Sequence, residues 1–237
     1  VLLGLGGVRA LRELGYNPAV WHMNEGHSAF LALERLRELV AAGRTFAEAE
    51  ARVAHATVFT THTPVPAGQD EFPLWLIDKH FAGFWPQLGL DREAFLDLAR
   101  NRHPWGETFS MAILALRLSG ARNGVSELHG QVARKMWSFV WPGHSEDEIP
   151  IDSITNGIHT GTWIARRLSE LYDRHLGPDW AEHVDDPAVW NGVERIPDEE
   201  LWEIRRHLKR KLTARMRDRA RRLWLTDRHH PVQVLAS

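Results

Sequence analysis

Two short apolar runs each end in a polar loop with a histidine, and helical periodicity separates them; this alternation narrows the possible folds more than any other feature. Pro18-Ala-Val-Trp-His-Met23 leads into Asn24-Glu-Gly-His27. Ala56-Thr-Val-Phe-Thr-Thr61, rich in β-branched residues, leads into His62-Thr-Pro-Val-Pro-Ala-Gly68. Between them Phe30, Leu33, Leu36, Leu39 and Val40 recur on one face of a helix predicted over 28–40 and stopped at Gly43, and a helical pattern resumes over 46–55. Strand, helices, strand is the βαβ unit of a parallel sheet, so the predicted class is α/β, a Rossmann-like parallel sheet with helices. Ligands of such sheets bind at the carboxyl ends of the strands, where both histidine loops fall.

The rest of the chain is predominantly helical by pattern. A helix over 2–14 stops at Gly15. The stretch 73–99 reads as helices broken near Pro86 and Gly89. Helices follow over 109–118 and 125–137, with Ser119-Gly-Ala-Arg-Asn-Gly124 as the break between them. A polar acidic loop over 142–150 precedes a short strand over 151–155, the turn Asn156-Gly-Ile-His-Thr160, a helix over 163–175 and a long basic helix over 198–224. The chain opens in helical periodicity without Met and closes on HHPVQVLAS, which reads like the start of a strand, so both ends are expected to be cut points.

With 237 residues, 43% of them hydrophobic, the chain has material for one large or two small buried cores. Its 29 Lys+Arg and 31 Asp+Glu give a formal charge of -2 and no general attraction to nucleic acid or an anionic membrane; neither partner is expected. The absence of cysteine excludes disulfides, a thiolate nucleophile and Cys-ligated zinc, and fits a reducing, cytoplasmic location. The first residues lack the basic start and cleavage site of a signal peptide, and no apolar run approaches the ~20 residues that span a bilayer. Tryptophan is the outlier, with 11 copies against 2 Tyr. Indole faces pack on the C–H faces of sugars and equally well between helices, so both readings stand.

Each polar loop has a chemical and a structural reading. Asn24, Glu25 and His27, with His22 before them, offer the paired donors and acceptors a hydroxyl-rich ligand needs; one such side chain could equally cap a helix. Around His62 two prolines fix the backbone and Gly68 frees it, which serves a binding site or a stable turn. Arg122-Asn-Gly-Val-Ser126 is placed at a helix N-terminus, and Thr155-Asn-Gly-Ile-His159 is a strand-to-helix turn. Although there are 14 histidines, His22 and His27 lack the spacing of a metal-binding helix pair and His229 and His230 have no nearby carboxylate cluster. No metal site is expected, and no Walker loop, complete G-x-G-x-x-G or G-x-S-x-G elbow occurs.

Taken in order, GLGGVRALRELG, VWHMNEGHSAF, FTTHTPVPAG, NGVSELHG and ITNGIHTGTW resemble the alpha-glucan phosphorylases, the family of glycogen, starch and maltodextrin phosphorylases, in their short bacterial and archaeal type. The resemblance covers nearly the whole chain. It implies a two-domain, type B glycosyltransferase fold, with 1–156 as the later part of the first Rossmann-like domain and 157–237 as interdomain helices and the start of the second. It implies that Asn24, Glu25 and His27 line the acceptor side of the cleft; His62 is a further candidate substrate-binding residue, with bonding to neighbouring backbone as its alternative role. It also implies that Asn123 belongs to a mobile loop beside the reacting sugar and that Asn156 bonds the 6-hydroxyl of that sugar. The longer enzymes have Asp where this chain has Glu25, and a histidine where it has Gly120. The implied reaction is reversible phosphorolysis of an alpha-1,4-glucan by inorganic phosphate to glucose 1-phosphate, with retention, by a homo-oligomer that uses pyridoxal 5'-phosphate. None of Lys79, Lys135, Lys209 and Lys211 stands in a setting like the cofactor lysine's, so this stretch alone is expected to be inactive. The competing readings are a nucleotide-sugar-dependent glycogen or starch synthase and a noncatalytic glucan-binding module.

Overall fold

A computed structural model describes residues 1–226. The strand-like run expected over 229–237 lies outside the described residues. The chain divides into two compact units, one from Val1 to Asn156 and one beginning at Gly157.

In the first unit a π-helical turn leads into α1 (Gly7–Glu13), followed by β1 (Trp21–Asn24), α2 (Phe30–Ala41), α3 (Phe46–His55) and β2 (Thr57–Thr61). Then come β3 (Glu71–Pro73), α4 (Leu74–Phe81), α5 (Arg92–Asp97), β4 (Arg100–His103), β5 (Gly106–Ser110), α6 (Met111–Arg117), β6 (Ala121–Gly124), α7 (Glu127–Trp137) and β7 (Asp152–Ser153). Strands β1, β2, β6 and β7 form a parallel sheet in that order. Its register aligns Asn24 with Thr60, Thr60 with Asn123 and Asn123 with Asp152, one row across all four strands.

The apolar periodicity sets the helix positions. Phe30, Leu33 and Leu36 of α2 are buried with Val8 of α1, Met23 of β1 and Phe59 of β2. Thr45 and Glu48 close a capping box at the start of α3, satisfying backbone donors that would otherwise be free. A ladder of rings, Phe30 on Phe81, Phe81 on Phe95 and Phe95 on Phe109, with centroids 4.8 to 5.8 Å apart, extends this core beneath α4 and α5. Gly89, the expected break, has a left-handed φ of 72°.

Two expectations are corrected here. The stretch 119–124, read as a break between helices, contains β6, an inner strand of the parallel sheet. Its Ala-Arg-Asn-Gly has little strand propensity, and pairing with β2 and packing under α7 override it. A Cβ on Gly124 would come within 2.9 Å of the Gly130 nitrogen, and one on Gly130 within 3.0 Å of Ser153, so two glycines let α7 settle on β6 and β7. The helix expected over 109–118 begins only at Met111, because Phe109 and Ser110 end β5. β5 pairs antiparallel with β3 and β4 in a small sheet of order β3-β5-β4. Its strands are mostly polar and joined by side-chain ion pairs such as Arg102 to Glu107, so no apolar alternation announces them.

The second unit contains α8 (Thr160–Trp163), α9 (Arg166–His175), α10 (Pro187–Trp190) and α11 (Asp198–Thr226). Its centre is aromatic: Trp180 is buried edge-on against Tyr172 and Trp190 at 5.2 and 6.0 Å. The Trp180 indole donates to Asp173 at 2.8 Å, which satisfies its one polar atom. Packing thus accounts for these tryptophans, whereas Trp75, Trp105, Trp163 and Trp202 are exposed. Among the described residues no helix is long and apolar enough to cross a membrane.

Candidate functional site

Asn24, Glu25, His27, His62, Asn123 and Asn156 all lie in the first unit, on the last residues of the parallel strands or the turns that leave them. Glu25 is the best-anchored. Its backbone N–H extends the β1–β2 ladder by donating to the Thr60 carbonyl at 2.9 Å, and the chain then turns sharply, with φ 70° and ψ 167°. This region is nearly reserved for glycine, so the conformation stores strain that its surroundings must hold. They do so through the carboxylate. Oε1 accepts the N–H groups of His62 and of Thr63, the latter at 2.9 Å, and the hydroxyls of Thr63 and Thr61 at 3.3 and 3.4 Å. The other oxygen, Oε2, takes only a 3.4 Å bond from the Gly26 N–H. One carboxylate oxygen therefore clamps the loop after β2, and the second keeps lone pairs for an outside donor.

Gly26 allows the next turn because a Cβ there would come within 3.1 Å of the Ala112 nitrogen at the start of α6. His27 follows in a 3-10 turn with an exposed imidazole, and the His62 ring is exposed as well. Among the described residues no hydrogen bond links the His27 ring or the Asn156 side chain to the other four residues. Asn156 is exposed, and its backbone N–H is fixed to the Val125 carbonyl at 3.0 Å.

Asn123 stands in strand β6, not in a loop, and is 7% exposed. Its Oδ1 accepts the Thr60 hydroxyl at 2.8 Å, and its amide donates to the Gly124 carbonyl at 3.0 Å. With the hydroxyl proton used there, Thr60 Oγ1 accepts from His22 Nε2 at 2.7 Å, which assigns the imidazole proton to Nε2. A chain His22, Thr60, Asn123 thus crosses three strands on one face of the sheet. Thr60 was not singled out from the sequence, because its role follows from the strand register. His129 was also missed: its Nδ1 accepts the Val125 N–H at 3.2 Å, which leaves a buried, unpartnered Nε2 in the first turns of α7. The only sequence signal was its place in NGVSELHG.

The position of the expected histidine is closed to any side chain. The Gly120 N–H donates to the carbonyls of Ala54 and Thr57 at 2.7 and 3.1 Å, and a Cβ would lie 2.7 Å from the Ala54 oxygen. Gly120 enters β6 from the end opposite Gly124, so no side chain from here reaches the carboxyl edge. Among the described residues, none of the six lines the cavity at Gln69 and Trp137, the one at Arg100 and Arg117, or the one at Trp21 and Arg35. Among the described residues no group of three or more His, Asp or Glu side chains is placed to hold a metal ion.

Four parallel strands whose outgoing turns carry amides, imidazoles and a carboxylate define the class: a Rossmann-like α/β unit of the glycogen phosphorylase-like glycosyltransferase fold. No protein-family model matches the chain. A maltodextrin phosphorylase of Thermococcus litoralis is 47% identical over 211 residues, 89% of this chain and 24% of the relative. A glycogen phosphorylase of Mycobacterium tuberculosis is 41% identical over 239 residues, covering 95% of this chain and 27% of the relative. One from Aquifex aeolicus is 36% identical over 236 residues, covering 100% and 34%. The chain belongs to the alpha-glucan phosphorylase family, as a counterpart of about a quarter to a third of the length of these relatives.

The residues present do not fit the attachment of pyridoxal 5'-phosphate. Lys79 on α4, Lys135 on α7, and Lys209 and Lys211 on α11 are the only lysines of the chain, and all four are exposed. A Schiff-base lysine needs a desolvated pocket to keep its amine neutral, and none of these has one.

Proposed function

We propose that this chain is the glucan-holding part of an alpha-1,4-glucan phosphorylase. In that reaction inorganic phosphate takes the terminal glucosyl unit: the bond from C1 to the glycosidic oxygen breaks, a bond from C1 to a phosphate oxygen forms with retention, and the phosphate proton goes to the leaving 4-hydroxyl. The reading is carried by kinship over nearly the full length of the chain with maltodextrin and glycogen phosphorylases from three organisms. Residues 1–156 are read as the later part of the first Rossmann-like domain, and 157–237 as interdomain helices and the entry to the second.

In this reading Asn24, Glu25 and His27 hold the acceptor side of the glucan, and His62 is a further substrate contact. Glu25 Oε2 and the two exposed imidazoles provide the acceptors and donors that paired sugar hydroxyls require. Asn156 donates to the 6-hydroxyl of the reacting glucosyl unit, and Asn123, locked through Thr60, shapes the floor beside it. The sheet carries these groups on rigid strand ends, so the sugar meets oriented partners. Pyridoxal 5'-phosphate is assigned to a site outside this chain, and the complete protein to the cytoplasm.

The test is direct. The complete protein, loaded with pyridoxal 5'-phosphate and given maltodextrin and phosphate, is expected to release glucose 1-phosphate. A folded, loaded protein that releases none overturns the reading.

A further inference from the structure

The inner strand β6 ends in a corner that holds the turn carrying Asn156. The peptide between Gly124 and Val125 is bonded at both its polar atoms: its carbonyl accepts the Ile154 N–H at 3.0 Å, and its N–H donates to the His129 ring at 3.2 Å. One residue later the Val125 carbonyl accepts the Asn156 N–H at 3.0 Å. The run from Ile154 to Asn156 therefore hangs from Gly124 and Val125, and His129 grips the same stretch from α7. The corner has little room to adjust, since a Cβ on Gly124 would lie 2.9 Å from the Gly130 nitrogen and 3.0 Å from the His129 carbonyl carbon.

A helix start alone does not call for this histidine. His129 is the third residue of α7, and its own N–H donates to the hydroxyl of the capping residue Ser126 at 3.1 Å. At the start of α3 the equivalent place holds Glu48, whose carboxylate returns to the N–H of the capping residue Thr45 at 2.9 Å. Glu148 does the same for Ser145. His129 bypasses its capping residue and reaches one residue further back, to Val125. Its Nδ1 accepts there, so the proton sits on Nε2, which is buried without a partner among the described residues. A glutamate would close the box with no N–H to strand. The imidazole thus gives up stability and gains a hold on Val125.

We propose that His129 is a positioning residue for the reacting sugar: through Val125 it fixes where the turn presents Asn156, and thereby how strongly the protein prefers a glucosyl unit with a 6-hydroxyl. This role rests on the reading of Asn156 as the partner of that hydroxyl. The experiment uses the complete protein loaded with pyridoxal 5'-phosphate, run in the synthetic direction on a maltooligosaccharide with glucose 1-phosphate or 6-deoxyglucose 1-phosphate. The ratio of the two kcat/KM values is the readout, and thermal unfolding reports folding. Asn156→Ala sets the ratio that remains without the contact. His129→Leu removes the acceptor, whereas His129→Gln allows an ordinary capping box and releases Val125. Both His129 variants are expected to lose about five- to tenfold of the preference, with the loss confined to glucose 1-phosphate, and so to approach Asn156→Ala. His129→Gln is expected to unfold closer to the wild type than His129→Leu. The wild-type ratio in folded His129→Gln, with the preference lost in Asn156→Ala, shows a helix cap and nothing more; it overturns the role of His129 and leaves the reading of Asn156 intact. The wild-type ratio in Asn156→Ala overturns that reading, and the role of His129 with it.

Discussion

Glu25 combines two functions that usually fall to different residues: it holds a strained backbone and offers an oxygen at the candidate site. The two can be separated by substitution. Glu25→Ala leaves the N–H groups of His62 and Thr63 without their acceptor and keeps the strained φ of 70°, so a stability loss of about 1–3 kcal/mol is expected. Glu25→Gly also loses the acceptor but adopts that φ without penalty, and it is expected to be more stable than the alanine variant by about 1–3 kcal/mol. Denaturant unfolding of the pair decides; equal stabilities would remove the strain argument. At this scale the sequence was readable in chemistry and not in partners. Asn24-Glu-Gly-His27 announced a cluster of polar groups, but nothing local to it reveals that the carboxylate is committed to backbone 37 residues further on.

At the scale of elements, α1 and α2 are joined by a buried carboxylate. The Glu34 side chain is fully buried, bidentate with Arg9 at 2.9 Å and bonded again by Arg37 at 2.7 Å. Burial alone would raise its pKa, but the hydrogen bonds and charges of Arg9 and Arg37 outweigh that and hold it below the ordinary carboxylate range. Its stabilisation is therefore complete above the unfolded carboxylate's pKa and is lost as pH falls through the depressed folded value. Removing both arginines, as Arg9→Met with Arg37→Met, strands a buried charge and is expected to cost about 3–5 kcal/mol near neutral pH. Glu34→Met is expected to cost less, because Arg9 is 58% exposed and returns to water. Urea unfolding across pH 3–8 tests this: Glu34→Met should flatten the acid limb, and an unchanged limb would count against the pair. Helices with an apolar stripe, such as α2 and α3, were legible because burial follows one periodicity. β6 and the sheet of β3, β4 and β5 were not, since Ala-Arg-Asn-Gly and Arg-Asn-Arg-His become strands only by pairing with distant segments.

For the whole molecule, the 237 residues contain candidate sugar-holding groups and no lysine suited to the cofactor, so binding and turnover should part company. The isolated chain, incubated with maltodextrin, phosphate and pyridoxal 5'-phosphate, is expected to form no detectable glucose 1-phosphate; measurable turnover would show that the exposed lysines had been misjudged. The parallel sheet and the division near Asn156 have different visibility in the sequence. The sheet follows from two strand-and-loop segments in the residues themselves, whereas the bounds 1–156 and 157–237 came only with the family resemblance, since no local pattern at Asn156 marks where packing changes. That division has a practical meaning. Because the first unit closes on Asn156, whose backbone N–H is tied back to Val125, every proposed sugar contact belongs to one compact unit. Cutting the chain after Asn156 would sever none of the hydrogen bonds that hold Glu25, Asn123 and the Asn156 backbone in place.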